Sequence, residues 1–296
     1  MANTLLVDLA DHPGLAVSLS AALAVPLAEV EQRSFPDGES YLRYLTPLDG
    51  RDVVLLCSLD RPDVKIAPLL FAAGAAREQG ARSVGLVAPY LAYMRQDKQF
   101  NTGEAVTSVH FAALLSAWVD WMVTVDPHLH RRHSLSEIYT VPATVVHAAP
   151  LLAAWIGANI EKPFLIGPDN ESRQWVASVA SRAHCPFTVL EKMRHGDRDV
   201  SVSVPQLAQW RDRTPVLVDD IISSGHTMQE ALAHLRGTGS VAPACVAVHG
   251  LFAEDAFTRL QQAGATRIVT TNSVAHQSNA MDLAPMLADA MREHVG

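Results

Sequence analysis

The stretch "PVLVDDIISSGHTMQEALAHLRG" (residues 215–237) begins as an apolar strand and stops at two adjacent carboxylates, Asp219 and Asp220. It then turns through Ser223, Ser224, Gly225, His226 and Thr227 and leaves as a helix with Met228, Leu232 and Leu235 on one face. A strand that passes straight into an amphipathic helix is a unit of a parallel α/β sheet. Open sheets of this kind bind ligands outside the carboxyl ends of their strands. At the start of the following helix, unpaired amides and the helix dipole favour an anion such as phosphate, and the hydroxyls add donors. The two acids beside that anion suit hydroxyl groups or a metal ion, so the stretch reads as a cradle for a phosphorylated sugar. A capped helix with an Asp turn would account for the hydroxyls, but it leaves the doubled carboxylate unexplained.

The same alternation extends in both directions. Towards the N-terminus, "TLLVDL" (4–9), "DVVLLCSL" (52–59), "SVGLVAPY" (83–90) and "WMVTVDP" (121–127) have strand length and composition. Between them lie Ala- and Leu-rich segments with helical spacing, such as Ile66, Leu69, Leu70 and Ala73. After Pro142 the pattern restarts with "FLIGPDN" (164–170), "PFTVLEK" (186–192), "ACVAVHG" (244–250) and "RIVTTNS" (267–273). The reading predicts two α/β domains, residues 1–145 and 146–296, each a largely parallel sheet flanked by helices. Similar element order in the two halves hints at duplication, although no residue-level repeat is visible.

Composition bounds the function. The chain has 296 residues, 49% of them hydrophobic and 18% charged, enough to bury two large cores. A net charge of −8 argues against a general nucleic-acid binder, so an anionic ligand must be met by local groups. Cys57, Cys185 and Cys245 are far apart and lie in or beside apolar runs, which reads as buried reduced thiols rather than disulfides or a metal cluster. No apolar run approaches membrane-spanning length, and "MANTLLVDLADHP" has no basic region before its short apolar stretch. The expectation is a cytoplasmic protein with neither nucleic-acid nor membrane partners.

"VLVDDIISSGHT" (216–227) resembles the phosphoribosyl-pyrophosphate signature shared by type I phosphoribosyltransferases and phosphoribosyl pyrophosphate synthetases. The first half separates the two. "SFPDGESYLRY" (34–44) and "LVAPYLAYMRQDKQFNTGEAVTS" (86–108) resemble the nucleotide-binding segments of the synthetases, and "VTVDPHLHRRHS" (123–134) resembles their metal-binding segment. With "LIGPDNES" (165–172) and "VLEKMR" (189–194) the resemblance runs in family order over most of the chain. Its wording is nearest to the shorter, archaeal-type branch. The implied fold is two type I phosphoribosyltransferase-like domains.

Each segment also has a plain reading. Phe35, Asp37 and Glu39 offer a flat apolar surface and acceptors for an adenine amino group, or simply a Pro-Asp-Gly turn between two strands. Arg95, Gln96, Asp97 and Lys98 form a dense polar run after a strand, where the cations can face triphosphate oxygens; a solvated loop is the alternative. His128 and His130 have the spacing of metal ligands in an amidohydrolase-like barrel, but their mid-chain position and the doubled Asp fit that fold poorly. The resemblance instead gives His128 a part in holding Mg²⁺ with the nucleotide. It assigns Asp169, otherwise an ordinary helix cap, to the cation and the ribose phosphate region. Lys192 and Arg194, two apart in an extended segment, suit the charge developing on a transferring diphosphoryl group, and the resemblance makes them the catalytic pair of a flexible loop.

The resemblance therefore implies ATP and ribose 5-phosphate as substrates, Mg²⁺ as cofactor, 5-phosphoribosyl 1-pyrophosphate and AMP as products, and a homo-oligomer. Three departures from the family pattern leave a regulatory homologue or a kinase for another sugar phosphate as alternatives. Asn170-Glu171-Ser172 replaces a Gly-containing turn, His226 stands where Gly is common, and "FAAGAARE" (71–78) lacks an acidic residue before its Ala.

Overall fold

Two parallel sheets are built from the apolar runs, because strands buried on both faces need continuous Val, Leu and Ile rather than alternation. The computed structural model describes residues 3–9, 12–129, 131–170, 172–194, 200–203, 207–237 and 241–295. It divides into a first unit, residues 1–146 with 273–275 and 282–296, and a second, residues 147–272 with 276–281.

In the first unit, β1 (Thr4–Asp8) leads through α1 (Pro13–Leu23) to an antiparallel hairpin, β2 (Val30–Ser34) and β3 (Ser40–Tyr44). Then follow β4 (Asp52–Leu56), α2 (Asp63–Glu78), β5 (Ser83–Ala88), α3 (Thr107–Ser116), β6 (Trp121–Val125) and β7 (Ala143–Val146). The parallel sheet has the order β1-β4-β5-β6-β7. A parallel bridge between Leu6 and Leu27 adds a short partner on the free side of β1. Leaving β1 the chain thus moves one way to Leu27, then returns through the hairpin to pair β4 on the other side.

The second unit repeats this path. It begins with α4 (Ala149–Asn159), β8 (Pro163–Gly167), α5 (Arg173–Arg182) and β9 (Phe187–Val189), followed by a hairpin of β10 (Glu191–Arg194) and β11 (Val200–Ser203). It continues with β12 (Thr214–Ile222), α6 (His226–Gly237), β13 (Ala244–Gly250), α7 (Ala256–Ala263), β14 (Arg267–Thr271) and β15 (Asn279–Met281). The six parallel strands lie in the order β15-β14-β13-β12-β8-β9. From β8 the chain steps one way to β9, then returns through a hairpin to β12 on the opposite side. The strand expected at 186–192 is accordingly two elements: Phe187, Thr188 and Val189 pair with β8 in parallel, whereas Glu191–Arg194 pairs with β11 antiparallel.

The C-terminal end departs from a clean division at residue 145. Helix α8 (Ala284–Met291) lies in the first unit, where it packs on α1, β6 and β7. Its buried stripe of Leu287, Ala288 and Met291 requires an apolar surface. Behind it, the His294 ring stacks on Trp121 at 4.7 Å, and its Nε2 lies 2.9 Å from Thr144 Oγ1. Helix α4, which follows β7 in the chain, packs on α5, β13 and β15 of the second unit. Each sheet is completed by the helix that follows the other sheet in sequence.

The second unit's core runs through Phe164, Ile166, Leu217, Met228, Leu232, Leu235, Cys245 and Leu260, so β8, β12 and α6 share one buried layer. Among the described residues no helix is long and apolar enough to cross a membrane. Burial raises the thiols of Cys57 and Cys245 to about 12, and both are inert core residues.

Candidate active site

The strand order of the second sheet reverses between β8 and β12, and at such a switch point the two following connections diverge and leave a crevice at the carboxyl ends. A small depression there is lined by Ile166, Pro168, Leu190, Leu217, Val218, Thr227 and Met228. Asp169 follows β8 after Pro168 and forms a closed turn: its Oδ1 accepts from Ser172 N–H at 2.9 Å, and its carbonyl accepts from Ser172 Oγ at 2.8 Å. This fixes the carboxylate at the strand exit. Asn170 is exposed beside it, and Glu171 lies outside the described residues.

Asp219 and Asp220 lie in the last turns of the long strand β12, both half-buried. Asp219 Oδ1 accepts from the Asp220 N–H at 2.9 Å, and Asp220 Oδ1 accepts from Ile221 N–H at 2.8 Å. Burial holds the Asp219 carboxyl well above the usual carboxylate range, and the charges of Asp220 and Asp169 push it the same way. The charges of three acids from two adjacent strand ends thus act on one another. The arrangement gains from any bound cation or hydroxyl donor that relieves the repulsion.

After Ile222 the chain turns at Ser223, Ser224 and Gly225, and α6 starts at His226. Gly225 has φ +70°, a left-handed conformation that costs a β-carbon-bearing residue about 1 kcal/mol. The first amides of α6 have no acceptor within the helix, and they emerge beside the acids. His226 is exposed at the first helical position, and Thr227 is half-buried against the depression. Hydroxyls, unpaired amides and carboxylates thus converge at one edge, as the sequence predicted for residues 219–227.

The proposed catalytic pair lies on the β10–β11 hairpin. Lys192 pairs with Val202 and Arg194 with Val200, two positions apart on one antiparallel ladder. The side chains of both cations, and residues 195–199 beyond them, lie outside the described part of the structure.

The remaining predicted residues belong to the first unit. Phe35, Asp37 and Glu39 form the tip of the β2–β3 hairpin, where Phe35 N–H donates to Glu39 O at 2.8 Å and Asp37 Oδ1 accepts from Glu39 N–H at 3.2 Å. Both the turn reading and an exposed flat surface hold here: the Phe35 ring is 39% exposed, meets Tyr41 edge-on and carries Arg33 4.7 Å above it. Arg95, Gln96, Asp97 and Lys98 follow β5, with Arg95 and Lys98 exposed. Asp97 is paired instead with Arg131 at 2.9 Å, its carboxylate buried. That ion pair joins the loop after β5 to the loop after β6, which carries His128. Sequence reading passed over Arg131, because nothing along the chain marks an arginine whose partner lies in another loop. It also passed over Asp126, a buried carboxylate at φ +33° immediately after β6; an acid at a strand exit two residues before His128 was the available signal. His130 lies outside the described residues.

Two family models match the chain: the N-terminal domain of ribose phosphate pyrophosphokinase over residues 4–118 and the phosphoribosyl transferase domain over residues 134–284. Ribose-phosphate pyrophosphokinase of Methanopyrus kandleri is 36% identical over 94% of this chain and 95% of its own. This chain belongs to the ribose-phosphate pyrophosphokinase family. The homologue of Methanothermobacter thermautotrophicus is 33% identical over 94% of this chain and 96% of its own, in keeping with the resemblance to the archaeal-type branch. A crystal structure of phosphoribosylpyrophosphate synthetase from Mycobacterium smegmatis superposes with a TM-score of 0.84 at 26% identity, covering 98% of each chain. The phosphoribosylpyrophosphate synthetase fold is therefore retained over 98% of the chain, with the doubled acid and the Ser-Ser-Gly turn in the part that matches the phosphoribosyl transferase domain.

Among the described residues no three His, Cys, Asp or Glu side chains form a closed metal cage. The donor set at β8 and β12 nevertheless fits a magnesium-type ion, which is commonly held by one or two carboxylates together with substrate phosphates. Asp169 and the pair Asp219–Asp220 belong to the exits of β8 and β12, two strands that pair in parallel, and that placement carries this fit.

Proposed function

We propose that the protein is a ribose-phosphate diphosphokinase: it transfers the β,γ-diphosphoryl group of Mg-ATP to the anomeric hydroxyl of ribose 5-phosphate, giving 5-phosphoribosyl 1-pyrophosphate and AMP. The observation that carries the reading is the pair Asp219–Asp220 joined to an amide-rich turn at the switch point of a family member's second sheet. In this reading Ser223, Ser224, Gly225, His226 and Thr227 receive the 5-phosphate, and Asp219 and Asp220 hold the ribose hydroxyls. Arg95, Gln96, Asp97 and Lys98, with Phe35, Asp37 and Glu39, bind the nucleotide. His128 in the first unit and Asp169 in the second are each given a part in holding Mg²⁺, which when bound would neutralise phosphate charge.

The anomeric oxygen attacks the β-phosphorus, the bond from that phosphorus to the α,β-bridging oxygen breaks, and the electron pair leaves with AMP. The hydroxyl proton passes to solvent. Such a transfer depends on positioning and charge neutralisation more than on a strong base. Lys192 and Arg194 supply positive charge where it grows on the transferring group. Homo-oligomerisation and a cytoplasmic location complete the reading, the former checked by sedimentation.

The test is AMP release with ribose 5-phosphate and with other sugar phosphates. We expect strict dependence on ribose 5-phosphate and Mg²⁺, and a fall of several orders of magnitude in Lys192→Ala; an undiminished rate removes Lys192 from the mechanism. A regulatory homologue is the reading favoured by Asn170 and His226. It predicts ATP binding without turnover on any sugar.

A further inference from the structure

The anion turn is held from behind, one carbonyl at a time. Ile222 O accepts from Leu251 N–H at 2.9 Å and Phe252 N–H at 3.0 Å, and Ser223 O accepts from Ala253 N–H at 3.1 Å. Ser224 O accepts from Arg259 Nη2 at 3.3 Å, and Gly225 O from Gln229 N–H at 2.9 Å. In a trans peptide the C=O of one residue and the N–H of the next point in opposite directions. Holding the carbonyls of Ser223 and Ser224 on the α7 side therefore aims the amides of Ser224 and Gly225 the other way. Of these four carbonyls, only that of Ser224 depends on a side chain.

That side chain is itself fixed. Arg259 Nη1 is ion-paired with Asp255 one helical turn earlier and lies 3.7 Å from Glu254, which leaves Nη2 directed at Ser224 O, while Nε is buried without a hydrogen-bond partner. The neighbouring Leu260 packs beneath the next residue: a β-carbon at Gly225 would stand 3.5 Å from it. Helix α7 thus presents two consecutive side chains to two consecutive residues of the turn.

We infer that Arg259 is a positioning residue for anion binding by residues 223–227, acting through the Ser224–Gly225 peptide without touching the sugar phosphate. The inference rests on the reading of this turn as the ribose 5-phosphate cradle. A second arginine supplies the control. Arg236 Nη2 donates to Gln262 O at 3.0 Å and joins α6 to α7 at the end away from the turn.

The experiment is calorimetric titration of the full-length protein with ribose 5-phosphate, together with steady-state AMP release. In Arg259→Ala the Kd and KM for ribose 5-phosphate rise about tenfold, with kcat within about threefold of wild type, as expected for losing one charge-assisted hydrogen bond. Arg259→Lys restores part of the affinity. Arg236→Ala lowers the melting temperature but leaves the Kd unchanged, which separates positioning from general loosening of α6 on α7. An Arg259→Ala protein that binds like wild type overturns the inference, as does an equal loss in Arg236→Ala. A wild-type protein that binds no ribose 5-phosphate removes the reading of the turn and the inference with it, a result distinct from either of the other two.

Discussion

The two units follow the same path and end differently. In both, the chain leaves a central strand to one side, passes through a hairpin and returns to pair on the other side, so both sheets have a switch point: β1 against β4 in the first, β8 against β12 in the second. At the second switch point stand Asp219, Asp220 and the Ser-Ser-Gly turn. At the first, β4 runs on into Cys57, Ser58 and Leu59, all buried, and the polar groups there have partners. Ser58 Oγ donates to Ser273 O at 2.5 Å, and Lys65 Nζ donates to Ser58 O at 2.8 Å and pairs with Asp60 at 2.5 Å. The polar groups at one strand end are tied to an ion pair and a later chain segment, while the other strand end carries interacting acids and helix-start amides with no acceptor within the helix. The two strand ends are equivalent in path and differ in the side chains they carry.

This contrast is breakable by substitution. Asp219→Asn and Asp220→Asn are each expected to lower kcat/KM for AMP release by about 10²–10³, the range for removing one group that stabilises a transition state. Cys57→Ala, at the exit of β4, changes it by less than about twofold. Equal sensitivity at the two strand ends would dissolve the distinction.

A second effect concerns stability. Burial and the neighbouring acids raise the Asp219 pKa in the folded protein, whereas the unfolded chain titrates near the ordinary value of about 4. Between those values the folded state binds the extra proton, so stability falls as pH rises. Without divalent cations, Asp219→Asn should melt above wild type at pH 7, by about 2–4 °C if the relief amounts to about 1 kcal/mol. That difference should close at pH 4 and below; a gap constant across pH would show that charge repulsion is not its origin.

The smallest effects compare two glycines at helix starts. Gly225 has φ +70°, and Gly225→Ala is expected to cost about 1 kcal/mol by chemical denaturation and to raise the KM for ribose 5-phosphate several-fold. Gly14, in the first turn of α1, has open space around its missing β-carbon, and Gly14→Ala is expected to add about 0.4–1 kcal/mol with no kinetic change.

Much of this was legible in the chain itself. The apolar runs marked most strands of both sheets because buried parallel strands must be continuously hydrophobic. The candidate site at residues 219–227 was legible because its parts are contiguous: strand, acids, turn and helix follow in order, and local geometry brings them together. The short strands β7 and β15 carry weaker signals, since three or four residues give no periodicity to read. The ion pair of Asp97 with Arg131 and the brace of Arg259 on Ser224 join residues distant along the chain, so neither has a local pattern.

The sequence alone determined the fold class, the family resemblance and the succession of acids and hydroxyls after β12's apolar run, since composition, periodicity and adjacent residues act over short distances along the chain. Only the tertiary structure decided that the halves share one path, that α8 completes the first unit, and that Ser58 at the exit of β4 is tied to Ser273. Those outcomes depend on which buried surfaces meet, and a one-dimensional pattern of apolar residues says how much surface must be covered but not by what.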